Sequence, residues 1–505
     1  MSATLLLIVF IVYTAMLFVI ARLTSRNADQ EAFYIGGRKS NWLLVAYGYI
    51  GASLSGVTFM SVPGNVSKEN FYYAPMVFGF IFGYSIIAFV LIPLYYRLNL
   101  TSIYTYLEMR FGACSYKTGA LFFVISRILG AAIRTYLVIM VLHEFVLGAL
   151  GVPFWTVGLI FILLAVLYTY QGGVKTIVWT DSFQTTFMLL AGVITIVMIA
   201  SQLDQSFPEM LKTIRDSGYT QWRDADWSSQ THYFKQFLAG VFVPVAMTGL
   251  DQGMMQKSLS CKNQKDAQKN IVLMILLIVV VNLMFLVLGA CLAIFCTTKG
   301  IDIAGVKPDR IYPIVAFHHL GKFVGLCFFI GLISAAYPSC ANALTALTTS
   351  TCIDLIGLEK RVTGRNAPIS DRDDRYKKRV RILVQCVITA LFLGVILLVN
   401  ALNSKAIITI VYQVAAYTYG PLLALYLFGL FTKRRVKDVF VPAICVAAPL
   451  LCFGIEYWNV IGHIADCFRP ADAQPLKFSF GFSLLLVNAG LTLTGLFLFG
   501  SRSQK

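Results

Sequence analysis

The residues best suited to chemistry lie in an apolar run, 45–65, whose centre reads Tyr49-Ile50-Gly51-Ala52-Ser53-Leu54-Ser55-Gly56-Val57-Thr58-Phe59-Met60-Ser61-Val62-Pro63-Gly64. The run is long enough to cross a bilayer, yet its Gly, Ser and Thr residues and a late Pro let the backbone unwind. Unwound backbone at membrane depth survives where protein or a watery cavity satisfies its carbonyls. Such carbonyls, with Ser and Thr hydroxyls beside them, are hard oxygen ligands for an alkali cation. The competing reading is a packing face on which small residues bring two helices together. A second Pro/Gly-interrupted segment, Pro244-Val245-Ala246-Met247-Thr248-Gly249-Leu250-Asp251-Gln252, occupies the corresponding place in the second half of the chain. Paired interruptions of this kind point to a solute site near the membrane midplane, between two inverted repeats.

Arg127 and Arg134 share one apolar span. Their spacing puts them on nearly the same helical face, about 10 Å apart. A guanidinium at mid-membrane faces a cavity or a partner. Arg127, nearer the middle, either grips an anionic group bidentately or forms a structural ion pair with Glu144 or Glu108. Ser55, Thr58, Phe59, Thr248 and Gln252 are the other residues expected to touch a solute. Tyr412, Tyr417 and Tyr419 either line the same cavity or pack. Asp181 begins a further span at its inner end, where a carboxylate also complements the helix dipole.

The elements that must position these groups are transmembrane helices. Hydrophobic residues make up 58% and charged residues 13% of the chain, and mean hydropathy is +0.74. The fold class is therefore an all-α polytopic membrane protein with the lipid bilayer as its solvent, and a soluble fold is excluded. The net charge of +17 sits in short loops between apolar runs, as the positive-inside rule requires, so no nucleic-acid partner is implied. The 11 cysteines show no CxxC spacing, and none of the histidines falls in the middle of a span. No metalloenzyme or other catalytic constellation is indicated.

Apolar runs predict about thirteen spans, near 4–21, 45–65, 74–97, 118–146, 153–171, 179–202, 236–257, 270–296, 323–355, 376–400, 404–431, 437–455 and 478–500. The basic loops place the N-terminus outside and the C-terminus in the cytoplasm of a multi-pass plasma (inner) membrane protein. The most basic loop, 360–381, reads as a solvated cytoplasmic connector. Polar segments 203–235 and 297–322 read as external, with short helices, Pro308 and Pro313 serving as start signals. The expected division is an extra N-terminal helix with its loop (1–44), a first five-helix repeat (45–202), the external loop (203–235), a second five-helix repeat (236–431), then two C-terminal helices and tail (432–505).

With these residues in order, the chain resembles the sodium:solute symporter family. The likeness rests on Ile35-Gly36-Gly37-Arg38, Ser55-Gly56-Val57-Thr58-Phe59, Tyr168-Thr169-Tyr170-Gln171-Gly172-Gly173 and Trp179-Thr180-Asp181-Ser182-Phe183-Gln184. Asp251-Gln252 with Gln256-Lys257, the stretch 343–354, and Tyr419-Gly420-Pro421-Leu422 complete it. The resemblance implies a LeuT-like fold of 5+5 inverted repeats, and a Na+ site between the first and eighth core spans. That site would take the carbonyls of Gly51, Leu54 and Ala335 and the hydroxyl of Ser339, with Asp181 at a second site. The chain departs from the pattern at Pro338 and Ala341, where oxygens are usual, so weak sodium dependence is expected, with Asn342 or Tyr337 filling in. Asp181 then either binds a cation or carries a proton. The implied activity is symport by alternating access of a small polar or anionic organic solute, such as a sugar, sialic acid or other carboxylate, with a cation, by a monomer. The alternatives are a solute sensor, or a proton-coupled or uncoupled carrier, on the same fold.

Overall fold

The computed structural model describes residues 2–25, 41–100, 102–169, 173–358, 371–402, 407–466 and 476–501. The motif Ile35-Gly36-Gly37-Arg38, the residues Tyr170, Gln171 and Gly172, Cys467 and the 360–370 part of the basic loop lie outside the described residues. Apart from one short antiparallel pair, Arg435–Val436 with Gly500–Ser501, the elements of the described residues are helical: α1 (Ala3–Ser25), α2 (Trp42–Ser53), α3 (Gly56–Glu69) and α4 (Ala74–Arg97) are followed by α5 (Ala113–Leu147), α6 (Phe154–Thr169) and α7 (Gly173–Gln202). The second half holds α8 (Tyr233–Gly249), α9 (Gln252–Leu259), α10 (Gln264–Thr298), α11 (Gly321–Leu355), α12 (Asp371–Leu402), α13 (Ile407–Phe431), α14 (Val441–Tyr457) and α15 (Leu484–Leu498).

Among the described residues, ten helices are long and apolar enough to cross a membrane, and twelve spans result when each of the two bent pairs counts as one. The expected run 153–171 holds the shorter α6, of 16 residues, about 24 Å at 1.5 Å per residue. The connector expected at 360–381 is shorter than its composition suggested: α12 already begins at Asp371. Burial separates centre from periphery. The apolar windows of α5 and α11 are 72% and 78% buried, whereas those of α1 and α12 are 28% and 22% buried and present their remaining side chains to lipid.

Both interrupted runs are broken helices. Between α2 and α3, Leu54 (φ −85°, ψ 123°) and Ser55 (φ −114°, ψ 178°) are extended and the axis turns by 58°. Between α8 and α9 the turn is 73°, with Asp251 extended (φ −100°, ψ 118°). Asp251 ends the break by capping α9, its Oδ1 accepting from the Met254 N–H at 2.9 Å. The two outer halves are held by close backbone approach. A Cβ at Gly79 or Gly240 would run into the opposing backbone of the α4–α8 pair, and one at Gly64 into the Pro308 carbonyl.

The polar segments expected to be external carry short helices. Phe207–Asp216 starts with a capping box between Ser206 and Glu209. Pro308 opens Pro308–Ile314 as expected, but Pro313 lies inside that helix and starts none. The extra helix α1 docks on α11 through Tyr13 to Ser334 (2.7 Å) and Thr14 to Tyr337 (2.9 Å).

Candidate functional site

The two breaks meet at a small cavity of about 70 Å³. Ser53, Leu54 and Thr58 enter it from the first broken helix, Thr248 from the second, Arg127 and Arg134 from α5, and Asn282 from α10. Tyr73, Tyr84 and Tyr412 complete its polar wall, with Tyr73 bonded to Tyr412 at 3.2 Å and Tyr84 at 3.5 Å from Thr248. The α4 tyrosines and Asn282 carried no sequence signal, because a hydroxyl or amide within an apolar run reads equally well as packing.

The two arginines have different surroundings. Arg127 forms an ion pair with Asp251 at 3.2 Å, both side chains being almost wholly buried. The partner is neither Glu144, which pairs with Arg310 at 3.1 Å, nor Glu108, but the cap of the second break. Sequence spacing could not find a partner so distant along the chain. Arg134 takes part in no ion pair among the described residues and faces the cavity beside the tyrosine hydroxyls. The cavity wall therefore carries one uncompensated positive charge, from Arg134.

Of the other residues singled out for solute contact, Thr58 and Thr248 line the cavity. Ser55 is buried at the first break and is not among the lining residues. Phe59 packs in an aromatic cluster with Tyr312, Phe328 and Phe285, at centroid distances of 5.2, 5.6 and 5.8 Å. Gln252 uses its Oε1 to accept the Ile103 N–H at 2.9 Å. Tyr417 bonds Glu456, away from the cavity wall.

The carbonyls of the two breaks also differ. At the second, Tyr95 donates to Gly249 O (2.8 Å) and Tyr104 to Leu250 O (2.9 Å), so these oxygens already have protein donors. At the first, the last helical bond is Leu54 N–H to Ile50 O, and among the described residues no backbone donor reaches the carbonyls of Gly51, Ala52, Ser53 or Leu54. Free carbonyls and the buried Ser339 hydroxyl on α11 are the donor chemistry an alkali cation takes. Pro338 contributes no hydroxyl, but having no N–H it leaves the Ser334 carbonyl without its helical donor. Tyr337 does not fill in, since its hydroxyl is bonded to Thr14 and its ring stacks on Phe161.

Around Asp181 the arrangement is unlike a cation site. Its Oδ2 accepts from the Lys257 ammonium and from Asn342 Nδ2, the latter at 3.1 Å. Lys257 stands in the sequence motif Gln256-Lys257, whose spacing assigns it no partner. A lysine beside a broken span was the available signal, because an ammonium there needs a partner.

The family model of sodium:solute symporters matches residues 33–438. The chain belongs to that family. It is a family of transporters, not of enzymes. Among its relatives, the sodium-coupled monocarboxylate transporter 1 of Homo sapiens is 25% identical over 467 residues, 88% of this chain and 70% of that protein. The sodium/sialic acid symporter SiaT of Proteus mirabilis is 22% identical over 476 residues, 92% and 93% of the two chains. Among solved structures, a Na+-coupled sialic acid symporter in a substrate-bound outward-open state superposes with a TM-score of 0.80 at 19% identity, covering 98% of this chain and 97% of that one. A closed transporter of the nucleobase-cation-symport-1 family gives 0.52 at 13% identity, over 92% and 94%. The fold is thus LeuT-like, with the broken helices at its centre.

Proposed function

We propose that this family member is a secondary active symporter that carries a small carboxylate inward together with sodium, by alternating access about the two breaks. The observation that carries the reading is Arg134: a guanidinium with no ion-pair partner among the described residues, facing the cavity beside three tyrosine hydroxyls. A partly buried cation without a counter-ion is costly, and a solute carboxylate supplies that counter-ion through a bidentate, charge-assisted pair. Thr58 and Thr248 then take the solute's remaining polar groups, while Arg127 holds Asp251 and so shapes the second break. The relatives named for monocarboxylates and sialic acid support an anionic cargo.

Sodium would be held at the first break by carbonyls from Gly51 to Leu54, with Ala335 and Ser339 from α11. With one hydroxyl replaced by Pro338, its affinity is expected to be low. The proposed repeats are 45–202 and 236–431, in a monomer with its N-terminus outside the plasma membrane. Uptake into proteoliposomes under an inward sodium gradient, screened across monocarboxylates, sialic acid and neutral sugars, tests the reading. Sodium-stimulated carboxylate uptake that Arg134→Gln abolishes is expected. Equal uptake by that variant, or a neutral sugar as the sole cargo, overturns it.

A further inference from the structure

The side chains bonded to the Asp181 carboxylate are both donors, an ammonium and an amide. Asp181 on α7 is 1% exposed, and its Oδ2 accepts from the ammonium of Lys257, itself 3% exposed, on the inner half-helix α9. Asn342 on α11 turns its amide Nδ2 toward the same oxygen at 3.1 Å. Ala341, beside Asn342 in the chain, is buried and has no side-chain oxygen. Asp181 Oδ1 alone is left without a protein partner, and one free oxygen is far from the several that a hard cation requires. The single negative charge is already balanced, so a mobile cation entering beside Lys257 would leave a net positive charge buried. The Asp251 carboxylate offers no relief, because Arg127 holds it 3.2 Å away.

We infer that Lys257 is a tethered cation that permanently takes the place of a second mobile ion on Asp181, so that the protein binds one ion fewer than its donor set at Asp181 would suggest. The inference deepens the proposed cation coupling, resting on that reading only for its consequence on stoichiometry; the occupancy of Asp181 stands on the geometry alone. It also gives α9 a fixed role. Lys257 near its end and Asp251 at its cap join this half-helix to α7 and α5 through two buried ion pairs, each formed within the protein.

Equilibrium binding of radioactive sodium to the purified, substrate-free protein separates the possibilities. Lys257→Met removes the tethered charge and frees Asp181. The variant is expected to bind one sodium more than the wild type, and to show a larger sodium-dependent rise in melting temperature than the wild type at the same concentrations. Equal counts in the two proteins overturn the inference, whatever the wild-type count is. A wild type that binds none and a variant that binds one uphold the tethered cation while removing sodium from the proposed function. Because Lys257→Met leaves a buried carboxylate unpaired and can fail to fold, the neutral pair Asp181→Asn with Lys257→Met is measured as well. That pair is expected to keep the wild-type count, and loss of one ion in it overturns the inference by making Asp181 a genuine ligand.

Discussion

Two arginines on one helical face show how a charge acquires its role from its partner. Arg127 is compensated by Asp251 within the protein, whereas Arg134 has no ion-pair partner among the described residues and lines the cavity. Removing one member of a buried pair leaves the other uncompensated, at a cost of about 3–5 kcal/mol. Arg127→Gln is therefore expected to lower the melting temperature sharply, and Arg127→Gln with Asp251→Asn to recover most of the loss, as read by thermal unfolding in detergent. Arg134→Gln breaks no ion pair, so it is expected to melt close to wild type while weakening carboxylate binding by at least about 2 kcal/mol, about 30-fold. Isothermal titration checks the second half of that contrast. Phe59, fully buried among three aromatic rings, belongs with stability: Phe59→Ala is expected to cost about 3–5 kcal/mol. A melting temperature unchanged in that variant would mean the cluster contributes nothing.

At the scale of elements, the broken helices are held differently at their two ends. The inner half-helix α9 is fixed by polar groups, including the Tyr49 hydroxyl on its Met254 carbonyl and the two ion pairs. The outer half α3 rests on shape, since Gly64 lies against the Pro308 carbonyl, and Ser61 donates to Asp309, whose other oxygen accepts the Ile407 N–H at 3.0 Å. Thus α3, the Pro308–Ile314 helix and the start of α13 are joined to one another by direct contacts. A methyl group at position 64 would meet backbone, which cannot swing aside as a side chain can. Gly64→Ala is therefore expected to part α3 from that helix and admit a membrane-impermeant thiol reagent to a cysteine placed at Thr58. Labelling at the wild-type rate would show that this contact does not close the cavity.

For the whole molecule the two proposals together fix the energetics. One sodium moving with a monoanion transfers no net charge, so the membrane potential, about 2.3 kcal/mol per charge at 100 mV, does no work on the cycle. A tenfold sodium gradient then supplies about 1.4 kcal/mol, enough for about tenfold accumulation. Carboxylate uptake by the wild type is accordingly expected to be the same at zero and at −100 mV, set by potassium and valinomycin in proteoliposomes. A current, or uptake that rises with the potential, would require a second mobile cation.

The sequence by itself determined the class of fold, the positions of both breaks and the family. These follow from local signals: apolar length, Gly, Ser and Pro inside a span, and motifs read in order. It also brought Thr58, Thr248 and the arginine pair to notice, because polar groups stand out in an apolar run. It did not decide what each group faces. Phe59 and Thr58 are neighbours in the chain, yet one points into a ring cluster and the other into the cavity. Asp181 was legible as a carboxylate that either complements a helix dipole, binds a cation or carries a proton, but that its partner is Lys257, on a helix far along the chain, depends on how α7, α9 and α11 pack. Charges are compensated through space and the chain order carries no record of distance, so the assignment of partners belonged to the tertiary structure.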